Sequence, residues 1–60
     1  MNIAIARKSD EFFKAGDEYK IFSFGAGYVE IISRNNKQVR VDMDDKDFVL
    51  VFNKEDNDKI

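Results

Sequence analysis

Residues 18–33 read EYKIFSFGAGYVEIIS, two runs of aromatic and β-branched residues on either side of Gly25-Ala26-Gly27. Two such runs separated by a short glycine-containing loop predict antiparallel strands joined by a hairpin. A phosphate-binding loop would instead need its glycines to open onto a helix N-terminus, where unpaired N–H groups hold the anion. Here a strand-forming run follows, and the loop has neither a third glycine nor a Lys-Ser/Thr pair. We therefore interpret the glycines as a tight turn.

The rest of the chain contains three more runs of the same kind. Together with the two above they predict five strands, at Asn2–Arg7, Glu18–Phe24, Tyr28–Ser33, Val39–Met43 and Phe48–Phe52. Residues 34–38, RNNKQ, predict a hairpin loop because Asn tolerates positive φ. Residues 44–48, DDKDF, predict one short helical turn capped by Asp44 or Asp45.

Five short strands with no long helix predict an all-β fold, a small five-stranded SH3-like barrel with one short helical turn. The barrel would occupy residues 1–53, and residues 54–60 would form a charged, frayed tail. Phe12 and Phe13 lie in the first connection, which we expect to fold back over the core. The alternation of side chains along the strands predicts a core of Ile3, Ile5, Phe13, Tyr19, Ile21, Val29, Ile31, Val39, Val41, Phe48 and Leu50.

Composition argues against several classes of function. The 60 residues include no Cys and no His, so the commonest metal ligands and the commonest general base are missing. An EF-hand-type calcium loop beginning at Asp42 would have Asp44 at its third position, but Lys46, Asp47 and Asn53 fall where an oxygen ligand, Gly and Glu belong. We predict no catalytic residues, no metal, no cofactor and no enzyme activity.

The distribution of charge and apolar residues bears on location and partners. The net charge of −2 divides into +2 over residues 1–41 and −4 over residues 42–60. The acidic end is either a solvated surface or a surface for a basic partner. No apolar run approaches the roughly 20 residues of a membrane span, and the N-terminus does not read as a signal peptide. We expect a cytoplasmic protein with no membrane contact.

The apolar residues on the second face of the central hairpin are the candidate binding residues. Tyr19, Ile21, Val29 and Ile31 already supply a core face, so the residues between them should face solvent. Those residues include Phe22, Phe24, Tyr28 and Ile32. Either Phe12 and Phe13 cover them, or a bulge at the glycines turns Phe24 inward. Otherwise they form an exposed patch that binds a protein partner or a second copy of the chain.

A second candidate site is basic. Arg34, Lys37 and Arg40 cluster on one hairpin, with Tyr28 nearby, and small barrels can bind single strands by stacking bases on aromatic rings over a positive groove. The overall acidity argues against strong affinity for a phosphate backbone. Nucleic acid is therefore the less favoured partner.

The segment Phe13–Phe48 resembles a class of small phage-encoded SH3-like barrel proteins. The matching features are FFKAGDEYKIF, YVEIIS, the hairpin RNNK, VRVD, and an acidic turn that ends in DF, with NIAIARKSD ahead of them. A KOW-type or ribosomal SH3-like barrel has a similar pattern, and FGAG replaces the more polar loop expected between the second and third strands. The resemblance implies an accessory protein of the host cytoplasm that works by binding, and it carries over no catalytic residues.

These observations lead to one leading expectation of function and two alternatives. The first is a non-enzymatic modulator of a host or phage protein, such as a host enzyme, that acts by direct binding through Phe22, Phe24, Tyr28 and Ile32. The alternatives are a nucleic-acid-binding module that uses Arg34, Lys37 and Arg40, and a small acidic homo-oligomer.

Overall fold

The computed structural model describes residues 1–53, and the predicted tail lies outside them. Five antiparallel strands form one curled half-barrel sheet in the order β4-β3-β2-β1-β5. Their bounds are β1 Ile3–Ala6, β2 Glu18–Gly25, β3 Tyr28–Ile32, β4 Gln38–Asp42 and β5 Phe48–Val51. The described residues contain no helix. The prediction of an all-β, SH3-like barrel is confirmed, and each predicted strand agrees with the observed one to within one residue at either end.

The long strand β2 belongs to both halves of the barrel. Its first residues pair with β1, where Glu18 lies opposite Ile5, and its last residues pair with β3, where Gly25 lies opposite Tyr28. The register shifts between Ile21 and Ser23, so that Phe22 is the extra residue of a β-bulge. A bulge bends its strand and increases the local twist. The bend at Phe22 therefore lets β2 belong to both halves of one sheet that curls around the core.

The core lies on the concave face of the sheet and confirms most of the predicted set. Its buried members are Ala4, Ala6, Phe13, Tyr19, Ile21, Val29, Ile31 and Val41, with Phe12, Val39, Phe48 and Leu50 packed against them. Three aromatic rings form its centre, because Phe13 makes edge-to-face contacts with Tyr19 and Phe48 at centroid distances of 5.0 Å each. Such contacts add to the free energy gained from burying the rings.

The prediction that Ile5 belongs to this core is wrong, whereas Ile3 is buried as predicted. Ala4 pairs with Tyr19 and Leu50, and directly opposite residues share a face, so Ala4 and Ala6 point inward. Ile5 lies on the convex side of β1 and is half-buried. Ile3 lies on the same side and is 3% exposed, although it is not part of the cluster around the three rings. The three large rings fill the volume above β1, which leaves room there only for alanine side chains.

The connection between β1 and β2 folds back over the core as predicted. The Asp10 carboxylate accepts hydrogen bonds from the N–H groups of Phe12 and Phe13, at 2.8 and 2.9 Å. The Tyr19 hydroxyl accepts one from Lys14 N–H at 2.7 Å. These bonds hold the backbone of the connection in the position that buries Phe13.

The connection between β4 and β5 contains turns where a short helical turn was predicted. Asp45 N–H donates to the Asp42 carbonyl, and Phe48 N–H donates to the Asp45 carbonyl. The predicted capping role belongs to Asp45, whose carboxylate accepts the Asp47 N–H at 2.8 Å in an Asx-turn. Met43, which follows β4, is exposed. The Asp and Lys side chains offer no apolar contact that would favour a helix over these turns.

Both hairpin loops follow the predicted turn chemistry. Gly27 has φ +81°, and Asn36 has φ +66°. In the second loop the buried Ser33 hydroxyl donates to the Asn35 side-chain oxygen at 2.6 Å and accepts Lys37 N–H at 3.0 Å. The glycines are therefore a turn between strands, as the sequence indicates.

Candidate binding surface

The bulge at Phe22 divides the four predicted binding residues between two faces. Beyond the bulge, Ser23 pairs with Glu30 and Phe24 pairs directly with Val29. Because Val29 is a core residue, Phe24 lies on the concave face and does not share a face with Tyr28 and Ile32. The prediction that all four lie on one face is therefore wrong for Phe24. The bulge that was weighed as an alternative exists, but it lies at Phe22 and not at the glycines.

Phe24 lies at one end of the concave face and remains exposed there. Its ring packs beside that of Phe52, with a centroid distance of 5.8 Å, and the two side chains are 50% and 45% exposed. Phe12 and Phe13, the other proposed cover, lie against the core instead. The described residues therefore leave this aromatic pair largely uncovered.

The other three predicted residues share the convex side of β2, β3 and β4, which we call the convex face. Phe22 is 41% exposed on it, and Tyr28 and Ile32 are half-buried. Their neighbours across the β3–β4 ladder are polar, since Tyr28 pairs with Asp42 and Ile32 pairs with Gln38. The convex face thus has an apolar middle with polar and charged neighbours.

Tyr28 is held in place from two sides. It pairs with Gly25, and a Cβ atom at Gly25 would overlap the Tyr28 ring, so the ring lies directly over the glycine backbone. On its other side the Arg40 guanidinium carbon lies 4.2 Å from the ring centroid. This is cation–π geometry, which restrains both side chains. The glycine that the sequence assigned to a turn also makes room for a ring on the convex face.

The three predicted nucleic-acid-binding residues lie in two different elements. Arg34 and Lys37 are exposed in the β3–β4 hairpin loop, whereas Arg40 lies within β4 over Tyr28. Glu30 lies directly opposite Arg40. A carboxylate therefore lies beside the one basic residue that is stacked on an aromatic ring.

A second apolar surface was missed from the sequence. The convex side of the β1–β5 ladder carries Ile5 opposite Val49 and Ile3 opposite Val51. Val49 is 43% exposed and Ile5 and Val51 are half-buried, while Ile3 is buried. The signal that could have revealed it is the run FVLVF, which is apolar on both faces. A strand with one face in water should alternate apolar and polar residues.

Residues 1–53 contain none of three other kinds of feature. The structure described there encloses no pocket. It brings together no group of three acidic, histidine or cysteine residues that could hold a metal ion. It also contains no helix long and apolar enough to cross a bilayer.

Comparison with known proteins gives no relative. No protein-family model matches the chain, and neither a curated protein nor a solved structure is similar to it.

Proposed function

We propose that this chain is a non-enzymatic binding protein that modulates a protein partner by direct contact through the convex face. The observation that carries the proposal is the exposed Phe22 ring at the bulge, on the same face as Tyr28, Ile32 and Arg40. Aromatic residues and arginine are enriched where protein interfaces are most tightly packed. The resemblance to small phage-encoded accessory barrels supports the same class of function, with a host enzyme as one such partner.

The arrangement of this face favours a protein over a small or highly charged partner. The Tyr28 ring and the Arg40 guanidinium are already stacked, so binding costs little side-chain entropy there. Glu30, Asp42 and Gln38 border the apolar residues and provide a polar rim. A surface of this composition fits another folded surface or an extended peptide.

The alternative function is nucleic-acid binding through Arg34, Lys37 and Arg40. What favours it is the stack of Arg40 on Tyr28 near two exposed basic residues of the hairpin loop. What weighs against it is the position of Glu30 and Asp42 on the same face, because carboxylates repel phosphates. Titration of labelled single-stranded and duplex oligonucleotides at low and moderate salt tests this alternative. Binding that falls steeply with salt would favour it.

The main proposal is tested by affinity capture with two matched variants. Phe22→Asp and Phe24→Asp make the same change at two exposed phenylalanines on opposite faces. The wild-type chain and Phe24→Asp should retain the same protein from a lysate of the producing cells, and Phe22→Asp should lose it. With that protein purified, we expect Phe22→Asp to weaken binding by about 30-fold or more. Equal capture by Phe22→Asp would overturn the proposal.

A further inference from the structure

The two edges of the sheet differ in their chemistry. β4 forms one edge and carries Arg40 and Asp42, charged residues of the kind that discourage strand pairing. β5 forms the other edge, and its residues Phe48–Val51 carry no charge. Phe52, which follows, is 45% exposed. An uncharged edge strand is a template for another strand.

The backbone groups that β5 presents at this edge follow from the hydrogen bonds of β1. Ile21 N–H donates to the Asn2 carbonyl, and the backbone of Ala6 bonds to residues 16 and 17. The backbone N–H and C=O groups of the even-numbered residues along β1 therefore point toward β2. The backbone N–H and C=O groups of neighbouring residues in a strand point to opposite edges of that strand. Those of Ile3 and Ile5 therefore point toward β5 and bond to their partners Val51 and Val49.

The backbone N–H and C=O groups of Phe48 and Leu50, and of Phe52 just after β5, therefore point away from β1 at the open edge of the sheet. Phe48 N–H is already used, since it donates to the Asp45 carbonyl at 3.3 Å. Within residues 1–53, no other backbone segment bonds to Leu50 or Phe52 on that side.

We propose that this edge pairs with the same edge of a second copy of the chain, antiparallel and about a two-fold axis at Leu50. In this register Leu50 exchanges N–H to C=O bonds with its counterpart. Phe52 N–H of each copy donates to the Phe48 carbonyl of the other, which leaves the existing Phe48 N–H bond intact. Val49 lies opposite the second copy's Val51, in the closer, non-hydrogen-bonded type of pair.

A second copy is the occupant that fits best. The run 48–52 is apolar on both sides of the sheet, and pairing it with itself matches apolar residues throughout and brings no like charges together within the strand. A net charge of only −2 per chain opposes association weakly. Domains of this size also commonly gain stability by oligomerisation. Because a two-fold pair is closed, the product is a dimer and not a filament.

The dimer edge and the convex face are separate surfaces, so this inference does not rest on the proposed function. Phe22→Asp should abolish partner capture and leave the dimer unchanged. Failure of one proposal is thus distinguishable from failure of the other.

The test combines sedimentation over a range of concentrations with two edge variants of the full chain. Val49→Lys places a charge on the exposed side of β5, and the matched control Gln38→Lys adds lysine at an exposed position of β4. We expect the wild type and Gln38→Lys to form a dimer with the same dissociation constant. Val49→Lys should weaken it by about tenfold, since two symmetric Val49–Val51 pairs are lost.

Amide hydrogen exchange gives a second measurement on the unmodified chain. The Leu50 and Phe52 amides should exchange quickly in dilute solution and become protected as concentration rises. A chain that is monomeric throughout, an assembly larger than a dimer, or a dimer insensitive to Val49→Lys would overturn the proposal. Protection of these amides in the monomer would also overturn it, because residues 54–60 or another segment would then cover the edge.

Discussion

At the scale of single residues, Gly25 is a position where any side chain would collide with a residue of the convex face. Its backbone lies beneath the Tyr28 ring, which Arg40 covers from the other side. Gly27, two residues later, has open space around it and a positive φ. The two glycines are therefore required for different reasons, one for close approach and one for backbone conformation.

We expect Gly25→Ala to destabilise the fold by about 1 kcal/mol because the new methyl group displaces the end of the half-buried Tyr28 side chain from its contact with Arg40. In a Tyr28→Ala background the same change should cost almost nothing. Gly27→Ala is the control, since its cost of about 1–2 kcal/mol comes from φ and should be equal in both backgrounds. Urea unfolding of the wild type, the three single variants and the two double variants measures these values. An unchanged cost of Gly25→Ala without Tyr28 would refute the steric explanation.

Asp10 is an exposed residue that nevertheless contributes to the stability of the fold. Its carboxylate accepts the N–H groups of Phe12 and Phe13 and so fixes the connection that buries Phe13. Asp10→Ala should cost about 1–2 kcal/mol, the usual loss for such a capping acceptor. Asp10→Asn keeps an acceptor oxygen and should cost much less. Thermal unfolding followed by circular dichroism compares the two, and equal losses would show that the hydrogen bonds contribute little.

At the scale of elements, β1 and β2 depart most from their sequence patterns. In β1 the alanines face the aromatic core, because Phe13, Tyr19 and Phe48 occupy the space above the strand. The isoleucines lie on the other side of β1, where Ile3 is buried and Ile5 is half-buried. In β2 the bulge at Phe22 adds one residue and reverses the alternation beyond it. Both departures replace a simple period-two pattern with one set by packing partners elsewhere in the chain.

The orientation of β1 predicts an unusual order of mutational effects. Ala4→Ile should destabilise by about 1–3 kcal/mol because it overpacks a fully buried site. Ile5→Thr, on the half-buried convex side, should cost less than about 1 kcal/mol. Chemical unfolding of both variants measures the order. A larger loss for Ile5→Thr would mean that the isoleucines and not the alanines face the core.

At the scale of the whole molecule, a single small core must carry the stability. A chain of 60 residues buries only about 60% of its unfolded surface, so its folded state is marginal. It has no disulfide to add. The exposed aromatic and aliphatic residues of the convex face and of β5 are apolar surface that is not buried in this core and is available for contact with another molecule.

Substitution of two neighbouring residues separates the core from this surface. Ile21→Asp should unfold the chain, since it buries an unpaired charge in the core cluster. Phe22→Asp should change the midpoint of thermal unfolding little, because Phe22 is 41% exposed. If both variants melt equally early, Phe22 belongs to the core and the proposed binding face is wrong.

The local sequence by itself determined the five strands and the glycine and asparagine turns. The strand bounds, to within one residue, and these turns follow from residue type and alternation, which are properties of a few neighbouring residues. The same local signals wrongly predicted a helical turn at residues 44–48. The candidate site was predictable in part, since Phe22, Tyr28 and Ile32 do share a face.

Only the tertiary structure decided which side chains of β1 point to the core, where the bulge in β2 lies, and that Arg40 stacks on Tyr28. Ile and Ala are both apolar, so NIAIAR is compatible with either orientation of β1, and only the distant rings of Tyr19 and Phe48 select one. Likewise, nothing within EYKIFSF marks the extra residue, because the bulge arises from β2 pairing with two different strands. These features depend on contacts between segments far apart in sequence, and a local pattern contains no information about them.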